Sequence, residues 1–260
     1  MTTIITISGL TKKFGRRAVL SDINLQINRG DSIAFIGRNG SGKSTLLKII
    51  AGLMPFEAGS VVHNGKLKFG YVPERFPAMN ISARDYIAQI GAVSGLQKNE
   101  VYERCTQLFE ALFMHDMIET PIRYLSKGTI QKMAIVQAFI TTPDVLLLDE
   151  PISGQDMASQ QVFIDMINRL RKQGVTVLCS CHEDYMVNAI AEHVYEIVDG
   201  KLCPVEQTQK SITGATYKLL FVKDGQEVEI RATAHESDSV IRKMLLENFE
   251  LRGLNNEKII

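Results

Sequence analysis

The chain has 260 residues, with 29 basic and 29 acidic side chains and a formal net charge of zero. At 45% hydrophobic and 22% charged, with 19 Gly and 7 Pro, its composition excludes collagen-like, low-complexity and disordered chains. The balanced charge argues against a general nucleic-acid binder, which carries a basic excess, and the length predicts one large domain or one domain with an appendage.

Cys105, Cys179, Cys181 and Cys203 are too scattered for a disulfide framework, so a reducing compartment is expected. The N-terminus lacks a basic stretch followed by an apolar core, so no secretory signal is expected. The best candidate for a spanning segment, Ile49 to Phe56, is broken by Gly52 and Pro55 and falls short of the roughly 20 residues a spanning helix needs.

Thr3 to Gly9 and Val19 to Ile27 read as strands. Lys12-Lys13-Phe14-Gly15-Arg16-Arg17 between them reads as a solvated polar turn with one aromatic. Ser32 to Ile36 predicts a buried strand, followed by a Gly-rich loop and a helix over Ser44 to Leu53. Residues 57 to 73 read as turns and short strands. From Ser82 to Phe113, apolar residues recur at helical spacing (Tyr86, Ile87, Ile90, Val101, Leu108, Leu112), which predicts a helical insertion without sustained heptads.

Thr129 to Phe139 reads as a helix, Val145 to Leu148 as a buried strand, Gln160 to Lys172 as a helix and Val175 to Cys179 as another buried strand. This alternation predicts an α/β fold with a parallel sheet and crossover helices. From about residue 206 the pattern changes. Tyr217 to Val222 and Glu227 to Ala232 flank the hairpin signal Asp224-Gly225, and Ser237 is placed to cap a helix carrying Val240, Ile241, Met244 and Leu245. The expected organisation is a domain over 1–205 and a small appendage over 206–260.

The strongest local signal is Gly37-Arg38-Asn39-Gly40-Ser41-Gly42-Lys43-Ser44, between a predicted strand and a predicted helix. It fits the phosphate-binding P-loop. Glycines let successive N–H groups turn toward phosphate oxygens, and the helix adds the partial positive charge of its N-terminus. Asn39, Gly40, Ser41 and Thr45 belong to this cradle; Lys43 would reach the β- and γ-phosphates and the Ser44 hydroxyl would ligate Mg²⁺. The apolar run Val145 to Leu148 ends in Asp149-Glu150, which places carboxylates at the C-terminal edge of a sheet. Asp149 suits Mg²⁺, directly or through water, and Glu150 suits polarising an attacking water.

With these motifs, residues 3 to 205 resemble the ATP-binding cassette (ABC) ATPases. Leu125-Ser126-Lys127-Gly128-Thr129 resembles the family signature, Pro151-Ile152-Ser153-Gly154-Gln155-Asp156 its D-loop, and His182 its switch histidine. The resemblance implies a P-loop NTPase fold with a mixed sheet core, an antiparallel β-subdomain and a helical subdomain over about 75–130. It also implies that ATP and Mg²⁺ are the cofactors and that ATP drives dimerisation. Two cassettes would meet head to tail, as a homodimer or a heterodimer, with Ser126, Gly128 and Thr129 of one facing the ATP of the other. Glu150 would be the general base, His182 would contact the γ-phosphate, and Phe14 stands where the family stacks an aromatic on adenine, the alternative being a core aromatic of the first strand pair. The implied partner is a separately encoded transmembrane permease, which places the chain at the inner face of a bacterial cell membrane. Phe76, Met79 and Ile81 are candidate permease contacts.

Three positions depart from the commonest family pattern: Glu74 where Gln is usual, Lys127 where Gly is usual and Thr129 where Gln is usual. Glu74 would sense Mg²⁺. The departures resemble a subgroup of drug, antibiotic and bacteriocin-immunity exporters. The alternative is a soluble single-cassette ATPase acting on a protein-assembly partner; nucleic acid is not an expected partner.

Overall fold

The structure is a computed structural model that describes residues 2–152, 154–205, 216–223, 226–233, 240, 244 and 249–257. The chain divides into two units, Met1–Glu206 and Gln207–Ile260. In the first, β1 (Thr3–Phe14) and β2 (Arg17–Asn28) form a hairpin, β3 (Ser32–Ile36) leads into α1 (Lys43–Ile50), and β4 (Ala58–His63) follows. Next come β5 (Phe69–Val72), α2 (Ala83–Val93), α3 (Lys98–Ala111), two single 3₁₀ turns and α4 (Lys127–Phe139). The unit ends with β6 (Val145–Asp149), α5 (Met157–Lys172), β7 (Thr176–Ser180), α6 (Asp184–Ile190), β8 (His193–Val198) and β9 (Lys201–Val205).

Strands β2-β1-β4 form an antiparallel sheet, and β5-β6-β7-β3-β8-β9 form the main sheet, parallel except where β9 returns beside β8. β6 and β7 are buried at every residue, as expected of parallel strands covered on both faces. The pleat sorts their side chains. Leu146, Leu148, Val177 and Cys179 join the core formed with α4 and α5. Val145, Leu147 and Leu178 join the core formed with α1 and the antiparallel sheet. With side chains alternating at period two, Asp149 and Ser180 therefore fall on the α1 face.

The helical insertion is two helices, because Ser94 and Gly95 close α2 before α3 begins. Ile87, Val101 and Leu112 are fully or nearly buried, and Tyr86, Ile90 and Leu108 pack against the same core. α5 starts three residues before the predicted Gln160, because the Asp156 carboxylate caps it by accepting from the Ser159 N–H at 2.9 Å.

The solvated turn expected at Lys12 to Arg17 is corrected. β1 runs through Phe14 and β2 resumes at Arg17, so only Gly15 and Arg16 turn. Lys12 is 7% exposed. Register shifts on both sides of it re-aim its side chain, whose ammonium lies 3.0 Å from the Glu57 carboxylate. An ion partner is what lets a lysine sit inside a sheet.

In the second unit, β10 (Thr216–Lys223) and β11 (Gln226–Thr233) form the expected hairpin, and β12 (Glu250–Glu257) adds a third strand in the order β11-β10-β12. Leu219, Phe221 and Met244 form its core, with Val228, Ile230, Val240 and Phe249 against it. The turn Asp224-Gly225, Ser237, Ile241 and Leu245 lie outside the described residues, as does Ser153 of the D-loop. No helix among the described residues is long and apolar enough to cross a membrane.

Candidate functional site

β3 ends at Ile36, and the loop to α1 turns on glycines with φ of 135° at Gly37, 76° at Gly40 and 113° at Gly42. Two of these positions leave no room for a side chain. A Cβ at Gly37 would stand 2.9 Å from the Ile197 carbonyl oxygen, and one at Gly42 would stand 2.9 Å from Leu20 Cδ2. The first turn of α1 holds no acidic residue, so its N-terminal N–H groups keep their partial positive charge. Ser41 Oγ is buried without a hydrogen-bond partner among the described residues, an orphaned polar atom inside the loop that an oxygen-rich anion would satisfy.

Lys43 opens α1 and is 6% exposed. Its ammonium donates to the Gly37 carbonyl at 2.9 Å and lies 2.9 Å from His182 Nε2. Ser44, one residue on, donates its hydroxyl to Asp149 Oδ1 at 2.7 Å. Asp149 ends β6 opposite Ser180 of β7, which donates to the same Oδ1 at 2.6 Å. Tyr71 of β5 donates to Oδ2 at 3.1 Å. The buried Asp149 carboxylate is thus held by three hydroxyls. Burial first, then the Asp149 charge, pushes the Tyr71 phenol above its ordinary value and keeps it a donor.

Glu150 adopts φ 49°, a left-handed conformation rare outside glycine, fixed by its N–H donating to the Ser180 carbonyl at 2.9 Å. This turn aims neighbouring carboxylates differently: Asp149 at Ser44, and Glu150 at Lys43, 3.8 Å away, and His182, 3.0 Å away. Burial pushes the Glu150 carboxyl up to about 7; Lys43 opposes this, while Glu183, Asp149 and Glu74 reinforce it. Burial and then Lys43 hold the His182 imidazole below its ordinary value, against the pull of Glu183.

Lys43, Ser44, Glu150 and His182 share one cleft of about 700 Å³, which Asp149, Tyr71 and Ser180 do not line. Phe14 and Val19 form its rim, with Phe14 51% exposed. Asn39, Gly40, Gly42, Lys43, Ser44 and Thr45 form its floor, and Glu74, Glu150, His182 and Glu183 close it from the C-terminal ends of the strands. Ser44 and Asp149 offer hard oxygens 2.7 Å apart, a donor set that fits Mg²⁺, which takes few protein ligands and shares the phosphates of its nucleotide.

Ser126, Gly128 and Thr129 do not line this cleft. Exposed Ser126 caps α4, its Oγ 3.2 Å from the Thr129 N–H and 2.8 Å from Thr129 Oγ1. A Cβ on Gly128 would lie 2.6 Å from the Gly154 carbonyl oxygen, so the start of α4 packs directly on the D-loop. Tyr71 and Ser180 are the site residues that sequence reasoning left without a role. The available signal was positional: both belong to strands flanking the one that ends in Asp149.

The sequence matches the ABC transporter family over residues 20–153. It is 32% identical over 198 residues to an uncharacterised ABC transporter ATP-binding protein of Methanocaldococcus jannaschii, covering 76% of this chain and 75% of that one. It is 31% identical over 256 residues to the zinc import ATP-binding protein ZnuC of Yersinia pestis, covering 97% and 99%. The fold superposes on the structure of an ATP-binding subunit of an ABC transporter with a TM-score of 0.71 at 26% identity, covering 77% of this chain and 88% of that one.

Proposed function

The chain belongs to the ATP-binding subunits of ABC transporters, which bind ATP with Mg²⁺ and hydrolyse it to drive transport, and we propose that its own turnover runs through the cluster of Lys43, Ser44, Asp149, Glu150 and His182. The observation that carries this reading is their convergence: three separate segments bring a cation, a hydroxyl, two carboxylates and an imidazole within hydrogen-bonding or ion-pair distance.

In this reading the amides from Asn39 to Thr45 and the Lys43 ammonium hold the phosphates, and Phe14 stacks on the base. Ser44, Asp149 and Glu74 would hold Mg²⁺, which would supply charge neutralisation on the phosphates. Glu150 accepts a proton from water at a carboxylate oxygen. Burial makes it a stronger base than an exposed glutamate, suited to working near neutral pH. His182 donates from Nε2 toward the γ-phosphate. Ser126, Gly128 and Thr129 complete the site of a second cassette, homologous or identical, across a head-to-tail dimer. Loss of the γ-phosphate charge then opens that dimer.

A separately encoded transmembrane permease carries the pathway, and the chain sits against it on the cytoplasmic face of the membrane. The helical subdomain over 75–130 supplies the docking surface, and Phe76, Met79 and Ile81 pack against the core beneath it. Glu74, Lys127 and Thr129 support export. Near end-to-end similarity to a zinc import subunit supports the second reading, zinc uptake. Domain boundaries near 205 and an unassigned role for residues 206–260 complete the proposal.

The test of the site is ATP hydrolysis by the purified chain and its Glu150→Gln variant. The variant should bind ATP and accumulate as a dimer without turnover; wild-type rates in the variant would reject Glu150 as the base. Direction is tested by reconstituting the chain with its permease in vesicles and following ATP-driven flux, of zinc first. Uptake of zinc in the import sense would reject the export reading.

A further inference from the structure

We propose that Tyr71 is a positioning residue for the metal site: its phenol fixes the rotation of the Asp149 carboxylate and, through it, aims the Ser44 oxygen at Mg²⁺. The inference rests on the reading of Ser44 and Asp149 as the metal-binding pair.

The hydroxyls around Asp149 are distributed unequally. Ser44 and Ser180 both donate to Oδ1, at 2.7 and 2.6 Å, whereas among the described residues Tyr71 is the donor to Oδ2, at 3.1 Å. An ionised carboxylate offers about four acceptor sites, and a buried one is costly to leave short of donors. Asp149 is 1% exposed, so water does not replace a lost partner. With Tyr71 in place, the carboxylate is anchored at both oxygens and its rotation about the terminal bond is fixed. Without it, both remaining donors act on one oxygen and the carboxylate turns about that point.

That rotation matters because of what Ser44 does. A hydroxyl has one proton and two lone pairs. By taking the Ser44 proton on Oδ1, Asp149 turns the Ser44 lone pairs away from itself and into the cleft. Tyr71 therefore stands behind the ligand pair as an outer hydrogen-bond partner, the position from which metal affinity is commonly tuned.

The tyrosine is itself held. Tyr71 pairs with Leu147 of β6, two residues before Asp149 and on the same face of the sheet. Its ring packs against the α1-side core, and Gln131 of α4 donates to the Pro73 carbonyl at 3.1 Å, pinning the chain just beyond β5. A side chain fixed at backbone, ring and hydroxyl is fit to transmit position, whereas a solvent-facing one is not.

The test uses the full chain and Tyr71→Phe, which keeps the ring and removes the hydroxyl. Mn²⁺ is the probe, its binding followed by electron paramagnetic resonance in the presence of ATP; ATP binding in EDTA is measured separately by calorimetry. The expected result is about a 10-fold weaker Mn²⁺ half-saturation, with ATP binding in EDTA within about 2-fold of wild type. The Mg²⁺ concentration for half-maximal hydrolysis should rise in parallel. Unchanged Mn²⁺ binding overturns the proposal, and so does an equal loss of ATP binding in EDTA, since the effect would then be structural rather than metal-specific. If the wild-type chain shows no ATP-dependent Mn²⁺ binding, the functional reading fails before the variant is considered.

Discussion

His182 Nε2 lies 3.0 Å from Glu150 Oε1, and the same nitrogen lies 2.9 Å from the Lys43 ammonium. One nitrogen cannot serve both contacts at once. Accepting from Lys43 requires a bare Nε2, whereas donating to Glu150 requires a protonated one. The lowered imidazole and the raised Glu150 carboxyl both favour the first arrangement, with a neutral ring facing Lys43. A phosphate that draws Lys43 away frees Nε2 to carry a proton toward Glu150 or the phosphate. His182→Ala should therefore keep ATP affinity within a few-fold while lowering turnover by about 10²-fold or more. Single-turnover hydrolysis with bound ATP checks this, and an unchanged rate would remove His182 from the reaction.

Glu150 gives the site its pH dependence. In the free chain its carboxyl titrates near 7, so kcat/KM for ATP should rise with pH through a midpoint close to that value as the base loses its proton. The stability effect has the opposite sense. Between the ordinary 4.5 and about 7 the folded chain holds a proton that the unfolded chain has lost. The contribution of Glu150 is therefore full at low pH and lost as pH rises through 7. Glu150→Gln should melt higher than wild type at pH 8 and alike at pH 4. A wild-type advantage at pH 8 would contradict the burial argument.

Much of this site was legible because its residues follow from local pattern. The P-loop needs only contiguous residues between a strand and a helix, and Asp149-Glu150 ends an apolar run that must be a buried strand. What escaped depends on pairing between strands distant in sequence. Tyr71 and Ser180 acquire their roles only when β5, β6 and β7 lie in register, which no single segment specifies. Lys12 was misread for the same reason, since its partner Glu57 lies 45 residues away. α6, β8 and β9 were not anticipated because each is five to seven residues long and mixed in polarity. β12 contains Arg252, Gly253 and two asparagines, and its strand state comes from pairing with β10 rather than from propensity.

Gly42 is a test of the loop independent of catalysis. Its φ of 113° is rarely open to other residues, and a Cβ there meets Leu20 Cδ2 at 2.9 Å and Val19 Cγ1 at 3.0 Å. Gly42→Ala combines backbone strain with overpacking, each worth roughly 1–3 kcal/mol. It should lower the denaturant midpoint and weaken ATP binding together. A variant with wild-type stability and affinity would show that the loop relaxes freely around the new methyl group.

Asp156 joins the D-loop to the helical subdomain. Its carboxylate caps α5 through the Ser159 N–H at 2.9 Å and accepts from the Ser159 hydroxyl at 2.7 Å. It also receives the Lys132 ammonium at 3.4 Å, and Lys132, 9% exposed, in turn donates to the Leu112 carbonyl at the end of α3 at 3.0 Å. The Ser159 hydrogen bonds, followed by the Lys132 charge, hold the Asp156 carboxyl down at about 2. Its contribution is therefore present above the ordinary 3.8 and lost as pH falls through about 2. At pH 7, Asp156→Ala removes the cap and leaves a largely buried ammonium with the Leu112 carbonyl and the Phe113 ring but no counter-charge, costing about 1–2 kcal/mol from the cap alone. Asp156→Asn keeps an acceptor for the Ser159 N–H but not the charge facing Lys132. Asp156→Asn should thus recover part of the loss, and Lys132→Met in the Asp156→Ala background should recover more by removing the stranded charge. Urea unfolding of the four chains measures each step. Equal stability of Asp156→Ala and its Lys132→Met double variant would show that Lys132 does not depend on this carboxylate.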